Sequence, residues 1–403
     1  MLADYRRAVD ESAARAPGEN STLTVARVRA DSLRYMTQDG SFPYSVLADL
    51  GYRAPAQQDR GSDAVQTLDV SPELIDVLAA DDILLLTDAG TEDAVAQLRQ
   101  NPLFTGLGAR VIELPSKDFL FGNVLTARAL IEHRGPWGRE PWDPEGPLGR
   151  IGTELSRRCK AVGIRPQLVR ETHGRREPAD TRRVFLVHSG RRSAWLEQYA
   201  IDTLEQILRL PLEAAADGTA PGTGIRVDQR LYLVCTHGKK DPCCAVLGRP
   251  VAAALNRPNG RVWESTHLGG DRYAAGMVAL PDGSYYGNLD PANAQAVVDG
   301  HDRGQLTLQN YRGRCTDDTA AQIAEHAVRT EYGLTGIDDV HPTEVTSSSG
   351  GSDVVVVTAS GSVQVHVTPD PETPRRTTCR SEAFATPDHG VTSIRAVPAA
   401  GSA

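Results

Sequence analysis

Three cysteines fall within ten residues in the run Cys235-Thr-His-Gly-Lys-Lys-Asp-Pro-Cys243-Cys244. Thiolate sulfur is the soft donor that anchors zinc and iron–sulfur centres, and it also does nucleophilic and redox work. The setting favours thiolate over thiol. The run follows Leu231-Tyr-Leu-Val234, which reads as a buried strand, and precedes a helix expected from about Cys244 to Leu255. Ligands gather at the carboxyl ends of strands in open α/β sheets. Free N–H groups at a helix N-terminus, helped by Lys239 and Lys240, stabilise negative sulfur. A second segment, Glu264-Ser-Thr-His267-Leu-Gly-Gly-Asp271-Arg272, follows another short strand, Arg261 to Glu264. His267 and Asp271 stand four residues apart and would face one point if the segment curls helically. Gly269 and Gly270 permit positive φ or a close backbone approach. The candidate ligands are therefore Cys235, Cys243, Cys244, His267 and Asp271, with His237 behind them. Two thiolates and an imidazole suit a zinc ion or an iron–sulfur cluster.

Other chemistries leave no mark. The chain carries no P-loop, no Gly-x-Gly-x-x-Gly fingerprint, no Gly-x-Ser-x-Gly elbow and no Cys-x-x-Cys pair. Six cysteines in 403 residues are too sparse for a disulfide-stapled scaffold. The first residues contain no apolar signal region, so a reducing cytoplasm is expected. No apolar run approaches the ~20 residues that span a bilayer, which speaks against a membrane partner. A net charge of −9 without any Lys/Arg block speaks against nucleic acid. Cys159 reads as helix core, and Cys315 and Cys379 read as structural.

The elements that must position the ligands form an α/β pattern. Residues 2–15 read as a surface helix, and Ser71-Pro72 as the start of a helix running to about Ala80. A buried strand at Asp82–Leu86, a helix at Thr91–Gln100 and a strand at Ala109–Leu114 imply a parallel crossover. Further on come a strand over 125–132, a helix over 148–162, a strand over 184–187 and a helix over 194–208. Residues 213–224 are small and Gly/Pro-rich and read as a linker. After the cysteine segments, Pro281-Asp282-Gly283 marks a hairpin turn between strands 277–280 and 284–286. Helices over 291–299 and 319–331, a hairpin over 353–368 and a frayed polar tail complete the chain. The expected units are 1–115, 116–224 with the linker, 225–320 carrying the ligands, and an appendix over 321–403.

The ordered motifs resemble the sucrase/ferredoxin-like family, whose C-terminal lobe is a thioredoxin-like [2Fe–2S] ferredoxin. The resemblance rests on Cys235-Thr-His-Gly-x-x-Asp-x-Cys-Cys244 and Trp263-Glu-Ser-Thr-His267-Leu-Gly-Gly-Asp-Arg272. It is extended by Tyr273-Ala-Ala, Leu280-Pro-Asp-Gly, Tyr286-Gly and Tyr311-Arg-Gly-Arg314. Upstream, His133-Arg-Gly-Pro-Trp-Gly138 is similar to the family's Pro-Gly-Pro-Trp-Gly, and Thr378-Cys379 to its terminal strand. The resemblance covers roughly residues 120–395. It implies an α/β fold of two thioredoxin-like lobes with a small C-terminal α+β appendix. It also implies a [2Fe–2S] cluster held by two Cys and two His. Cys235 and Cys244 match the cysteines and His267 the first histidine. Asp271 stands where the family has its second histidine, so Asp271, Cys243 or His237 completes the set. The implied role is one-electron transfer between a redox donor and acceptor. A reductase acting on a small molecule near the cluster and a zinc-stabilised binding module are the alternatives.

Overall fold

The structure, a computed structural model, describes residues 21–28, 32–36, 47, 50–58, 67–71, 73–87, 91–115, 125–172, 181–191, 193–255, 260–348, 351–370, 374–375, 384–385 and 388–397. The helix expected over 2–15, together with Pro72 and Cys379, lies outside the described residues. The chain divides into two compact units, Met1–Gly122 and Asn123–Ala403.

In the first unit, strands β1 (Leu23–Val28), β2 (Leu33–Met36), β3 (Thr67–Val70), β4 (Asp82–Thr87) and β5 (Arg110–Pro115) form one sheet in the order β3-β2-β1-β4-β5. β4 runs parallel to both β1 and β5. Helix α1 (Glu92–Gln100) makes the expected crossover, and α2 (Pro102–Thr105) follows it with Asn101 accepting from Leu103 N–H at 2.8 Å. Ile83 and Leu85 pack with Val95, Leu98 and Phe104 into the core of this unit. Where a helix is expected to Ala80, the chain makes only a 3-10 turn, Ile75–Leu78.

The second unit is built on a ten-stranded sheet. Its first half contains β6 (Ala127–Glu132), helix α3 (Gly149–Ala161), β7 (Ile164–Glu171), β8 (Arg182–His188), β9 (Trp195–Ile201), helix α4 (Leu212–Ala216) and β10 (Ile225–Arg226). Its second half contains β11 (Leu231–Cys235), helix α5 (Pro242–Leu255), β12 (Val262–Ser265), β13 (Met277–Leu280), β14 (Ser284–Tyr286), helix α6 (Ala294–Asp302) and β15 (Tyr311–Arg314). The strand order is β10-β9-β8-β6-β7-β12-β11-β13-β14-β15. Each half is a parallel strand–helix–strand unit, β6-α3-β7 or β11-α5-β12, extended by an antiparallel hairpin beside its first strand. The halves therefore share the thioredoxin-like plan, and they join edge to edge through the antiparallel pair β7–β12.

Side chains alternate across strands, which gives the sheet three packed regions. One face of the first half packs Leu155 and Cys159 of α3 against Ala129, Leu168 and Leu186. The corresponding face of the second half packs Val251 and Leu255 of α5 against Tyr232, Val234 and Val262. The opposite faces of both halves meet each other: Leu130, Val169, Phe185 and Val187 pack with Leu233, Cys235, Trp263 and Val278. Phe185 and Trp263 meet edge to face there, with centroids 5.3 Å apart.

Three further sequence expectations change. Residues 195–201 form a strand rather than helix, because the segment pairs antiparallel with β8 from Arg182↔Ile201 to His188↔Trp195. The helical turn begins only at Leu204, where Gln206 Oε1 accepts from Thr203 N–H at 3.3 Å and Asp202 N–H at 2.7 Å. The glycine-rich stretch after it is held against β9 rather than being a loose linker. Trp195 Nε1 donates to Gly218 O at 2.9 Å, and Glu197 accepts from Gly222 N–H at 2.8 Å and Gly224 N–H at 3.2 Å. Finally, the C-terminal segment forms sheet β16-β17-β18-β21, made of β16 (Val340–Ser348), β17 (Gly351–Thr358), β18 (Gly361–Asp370) and β21 (Asp388–Ala396). Between the last two lies the short ladder of β19 (Pro374–Arg375) and β20 (Phe384–Ala385). Helix α7 (Thr319–Tyr332) packs Ala324 and Val328 on Val354, Val356 and Val365. Among the described residues, no helix is long and apolar enough to cross a membrane.

Candidate metal centre

β11 is an apolar run whose last residue, Cys235, points to the face shared by the two halves. Cys244 lies in the first turn of α5 and is 3% exposed. Asp241 builds that turn: its Oδ1 accepts from Cys243 N–H at 2.8 Å and its backbone O from Cys244 N–H at 3.1 Å. Pro242 opens the helix at a position that needs no N–H partner. Close approach of α5 to β11 depends on Gly248. A Cβ there would lie well under 3.0 Å from the Cys235 carbonyl oxygen. His267 and Asp271 come from the loop after β12. Gly269 (φ 92°) and Gly270 (φ 70°) turn that loop back, as a side chain would resist. His267 Nε2 then lies 3.2 Å from Asp271 Oδ1.

These elements bring the Sγ of Cys235, the Sγ of Cys244 and a His267 ring nitrogen within 4.8 Å of one another. Cys244 Sγ is 4.0 Å from His267 Nδ1 and 3.8 Å from Asp271 Oδ1. Asp271 therefore stands at the edge of the group. Cys243 is half-buried, and its thiol is not among the three converging donors. His237 is buried beside them but uses both ring nitrogens on backbone: Nε2 meets Gly138 O at 2.8 Å, and Nδ1 lies 3.3 Å from His267 N.

The electrostatics of the pair are lopsided. The Cys244 thiol hydrogen-bonds to Cys235, and His267 and the His237 backbone N–H also favour negative sulfur there, so the Cys235 thiol is held well below its usual value despite burial. Cys244 keeps the shared proton and moves up, because of that hydrogen bond and because of burial. Burial also raises Asp271. A buried thiolate beside a buried thiol, an imidazole and a carboxylate is a donor set that a metal ion stabilises by replacing the proton. The chemistry of the residues fits both zinc and an iron–sulfur centre.

The first half of the unit helps to build the site, which the sequence reading does not foresee. Trp137 sits over it, with Nε1 donating to His133 O at 3.1 Å, its ring edge-on to His237 at 6.0 Å and the Arg170 guanidinium 4.4 Å from its centroid. Arg170 in turn binds Glu264 at 2.7 Å, and Glu264 accepts from Thr236 Oγ1 at 2.7 Å. Thr266 exchanges backbone and hydroxyl bonds with Leu168 at 2.9 and 3.1 Å, and Arg165 donates to His267 O at 2.8 Å. Lys240 pairs with Glu140 at 2.7 Å.

The matching family model, described as sucrase/ferredoxin-like, covers residues 127–313. The match starts on the first residue of β6 and stops one residue before the end of β15, so it spans the ten-stranded sheet. Residues 127–313 match the model of the sucrase/ferredoxin-like family. This match agrees with the resemblance carried by the cysteine and histidine motifs, and it suggests a ferredoxin-like, iron–sulfur-related role. A curated relative, "Altered inheritance of mitochondria protein 32" of Meyerozyma guilliermondii, is 30% identical over 99 residues, which are 22% of this chain and 35% of that protein. The chain thus spans about a third of that relative's length. Among solved structures, FeuA from Bacillus subtilis complexed with ferri-bacillibactin is 22% identical with a TM-score of 0.25, over 28% of this chain and 42% of that chain. The FhuD protein from S. pseudintermedius is 14% identical with a TM-score of 0.26, over 28% of this chain and 44% of that chain. SirA from Staphylococcus aureus is 19% identical with a TM-score of 0.25, over 29% of this chain and 49% of that chain. These structural likenesses are too slight to bear on the sucrase/ferredoxin-like region.

Proposed function

We propose that the chain carries a [2Fe–2S] cluster held by Cys235, Cys244, His267 and Asp271, and that it exchanges single electrons with a redox donor and acceptor. The observation that carries this reading is the convergence of two buried sulfurs and an imidazole within 4.8 Å, inside a sucrase/ferredoxin-like region. Such a cluster, when bound, supplies a one-electron couple. The residues around it orient the ligands and limit water. Asp241 and Gly248 fix Cys244 against Cys235. The His237 N–H donates to the Cys235 sulfur, and N–H donors of this kind raise a cluster's potential. Arg165 holds the backbone of His267. Asp271 and Cys243 both lie outside the group of three, and Asp271 is preferred as the fourth ligand because its carboxylate lies 3.2 Å from His267 and 3.8 Å from Cys244. Carboxylate and imidazole ligands are also the ones whose protonation couples to electron transfer.

A single zinc ion is the second reading, favoured by the compactness of the three donors. Cys235→Ser, Cys244→Ser and His267→Ala decide whether this group is the centre at all. Each is expected to abolish the bound metal in full-length protein that retains its native circular dichroism. Full metal content in any of the three removes that residue from the assignment.

A further inference from the structure

On the face shared by the two halves, next to the metal donors, lies a second polar group that the redox reading does not use. Arg128 of β6 is 0% exposed, and β6 and β7 place it directly opposite Arg165. Its guanidinium donates to Gln167 Oε1 at 2.6 Å and to Tyr285 Oη at 2.6 Å. Neither is a carboxylate, and among the described residues neither Arg128 nor Arg165 forms an ion pair with one. Arg165 makes its bond to the carbonyl of His267. A fully buried guanidinium without a counter-charge is strongly destabilising, so something else must balance Arg128. Three further donors point the same way: Arg128 Nε, Gln167 Nε2 and Ser189 Oγ are buried and lack a protein partner. Gln167 and Ser189 are each 1% exposed. Ser189 belongs to the same group, because it and Cys315 converge on the space beside Gly283, while Cys315 also flanks Arg128. Arg165 and Tyr285 are only half-buried.

We infer that Arg128, Arg165, Gln167 and Ser189 form a binding site for a small oxyanion, a phosphate or a carboxylate group, between the two halves of the sheet. Planar guanidinium forks match both groups in two-point contacts, and the amide and hydroxyl supply neutral donors. The hydrogen bond from Arg165 to His267 O ties this site to the proposed metal ligand, so an anion there sits beside the redox centre. The site itself requires no cluster.

The test is calorimetric titration of the full-length chain with inorganic phosphate and, separately, with acetate, in a buffer free of other oxyanions. Iron and zinc are assayed on the same samples, so failure of the cluster reading is seen apart from failure of this one. Saturable binding at one site per chain is expected for at least one of the two anions, and the tighter arm identifies phosphate or carboxylate as the ligand class. Arg128→Met and Arg165→Met should each weaken binding on the order of 10- to 100-fold, the worth of a charged hydrogen bond. Should Arg128→Met fail to fold, Arg165→Met and Ser189→Ala decide, the latter with a loss of roughly threefold to tenfold. No binding of either anion, or binding that folded Arg165→Met and Ser189→Ala leave unchanged, overturns the site.

Discussion

Gly248→Ala is the substitution whose outcome the geometry fixes most sharply. In an ordinary helix interior, replacing Gly by Ala stabilises by about 1 kcal/mol through backbone entropy and solvation. Here the new methyl group would fall well inside contact distance of the Cys235 carbonyl oxygen. That oxygen cannot step aside by a rotamer change. β11 is pinned on one side by Cys235↔Ser265 of β12 and on the other by Val234↔Met277 of β13. The helix must therefore move, on the scale of 1 Å or more for an overlap of this size. Overpacking typically costs ~1–3 kcal/mol, and a backbone clash belongs at the upper end or beyond it. The steric term wins over propensity, leaving a net loss of about 2 kcal/mol. Because the same movement carries Cys244 away from Cys235, metal content should fall together with stability. Guanidinium denaturation at a fixed protein concentration and a metal assay measure the two effects. Ala254→Gly, exposed in the last turn of the same helix, serves as the control and should cost less than about 1 kcal/mol with no loss of metal. A Gly248→Ala protein as stable as the parent and fully loaded would refute the close-approach argument.

Other predictions concern the fourth ligand and the acid limit of stability. If Asp271 completes the site, Asp271→Ala should bleach or strongly shift the optical spectrum while Cys243→Ser leaves it nearly unchanged; the reverse pattern would transfer the role to Cys243. Asp282 lies in the hairpin turn between β13 and β14 and accepts from Arg230 at 2.6 Å and His301 at 3.0 Å. Burial alone would raise its pKa, but the hydrogen bonds from His301 and Arg230 hold it well below its ordinary 3.8. A depressed folded-state pKa means that the stability it contributes is complete above pH 3.8 and is lost as the pH falls further. Asp282→Asn should cost about 3 kcal/mol at neutral pH, since His301 and Arg230 lose a charged partner. Its urea midpoint should fall less steeply below pH 3.8 than that of the parent, and an unchanged slope would show that other carboxylates set the acid limit.

Much of the site was legible because its information is local. The apolar run Leu231–Val234 ends at a cysteine, Asp241-Pro242 announces a helix start, and the paired glycines after His267 announce a turn. What could not be read comes from far along the chain. Gly138, Arg165 and Arg170 contact site residues 99, 102 and 94 positions away, and no short-range pattern marks such partners. The strand at 195–201 was misread for a related reason. Leu196, Tyr199, Ala200, Leu204, Ile207 and Leu208 repeat at helical spacing, yet pairing with β8 decides the first half of that stretch. The signature Thr203-Leu-Glu-Gln206 marks the true start of the turn and was available in the sequence. Glycine content alone misled at 213–224, because those glycines serve close contacts to Trp195 and Glu197 rather than freedom of the chain. The shared plan of the two halves was legible as alternating strands and helices; their union into one sheet through β7 and β12 was not.

The central claim is that the converging thiols and imidazole hold a two-iron cluster. Anaerobic purification of the full-length chain, with iron, zinc and acid-labile sulfide assayed together and electron paramagnetic resonance recorded after dithionite reduction, tests it directly. The account predicts a brown-red protein with equal iron and sulfide, and a signal from one unpaired electron that disappears in Cys235→Ser. A colourless protein carrying zinc and no sulfide would contradict it.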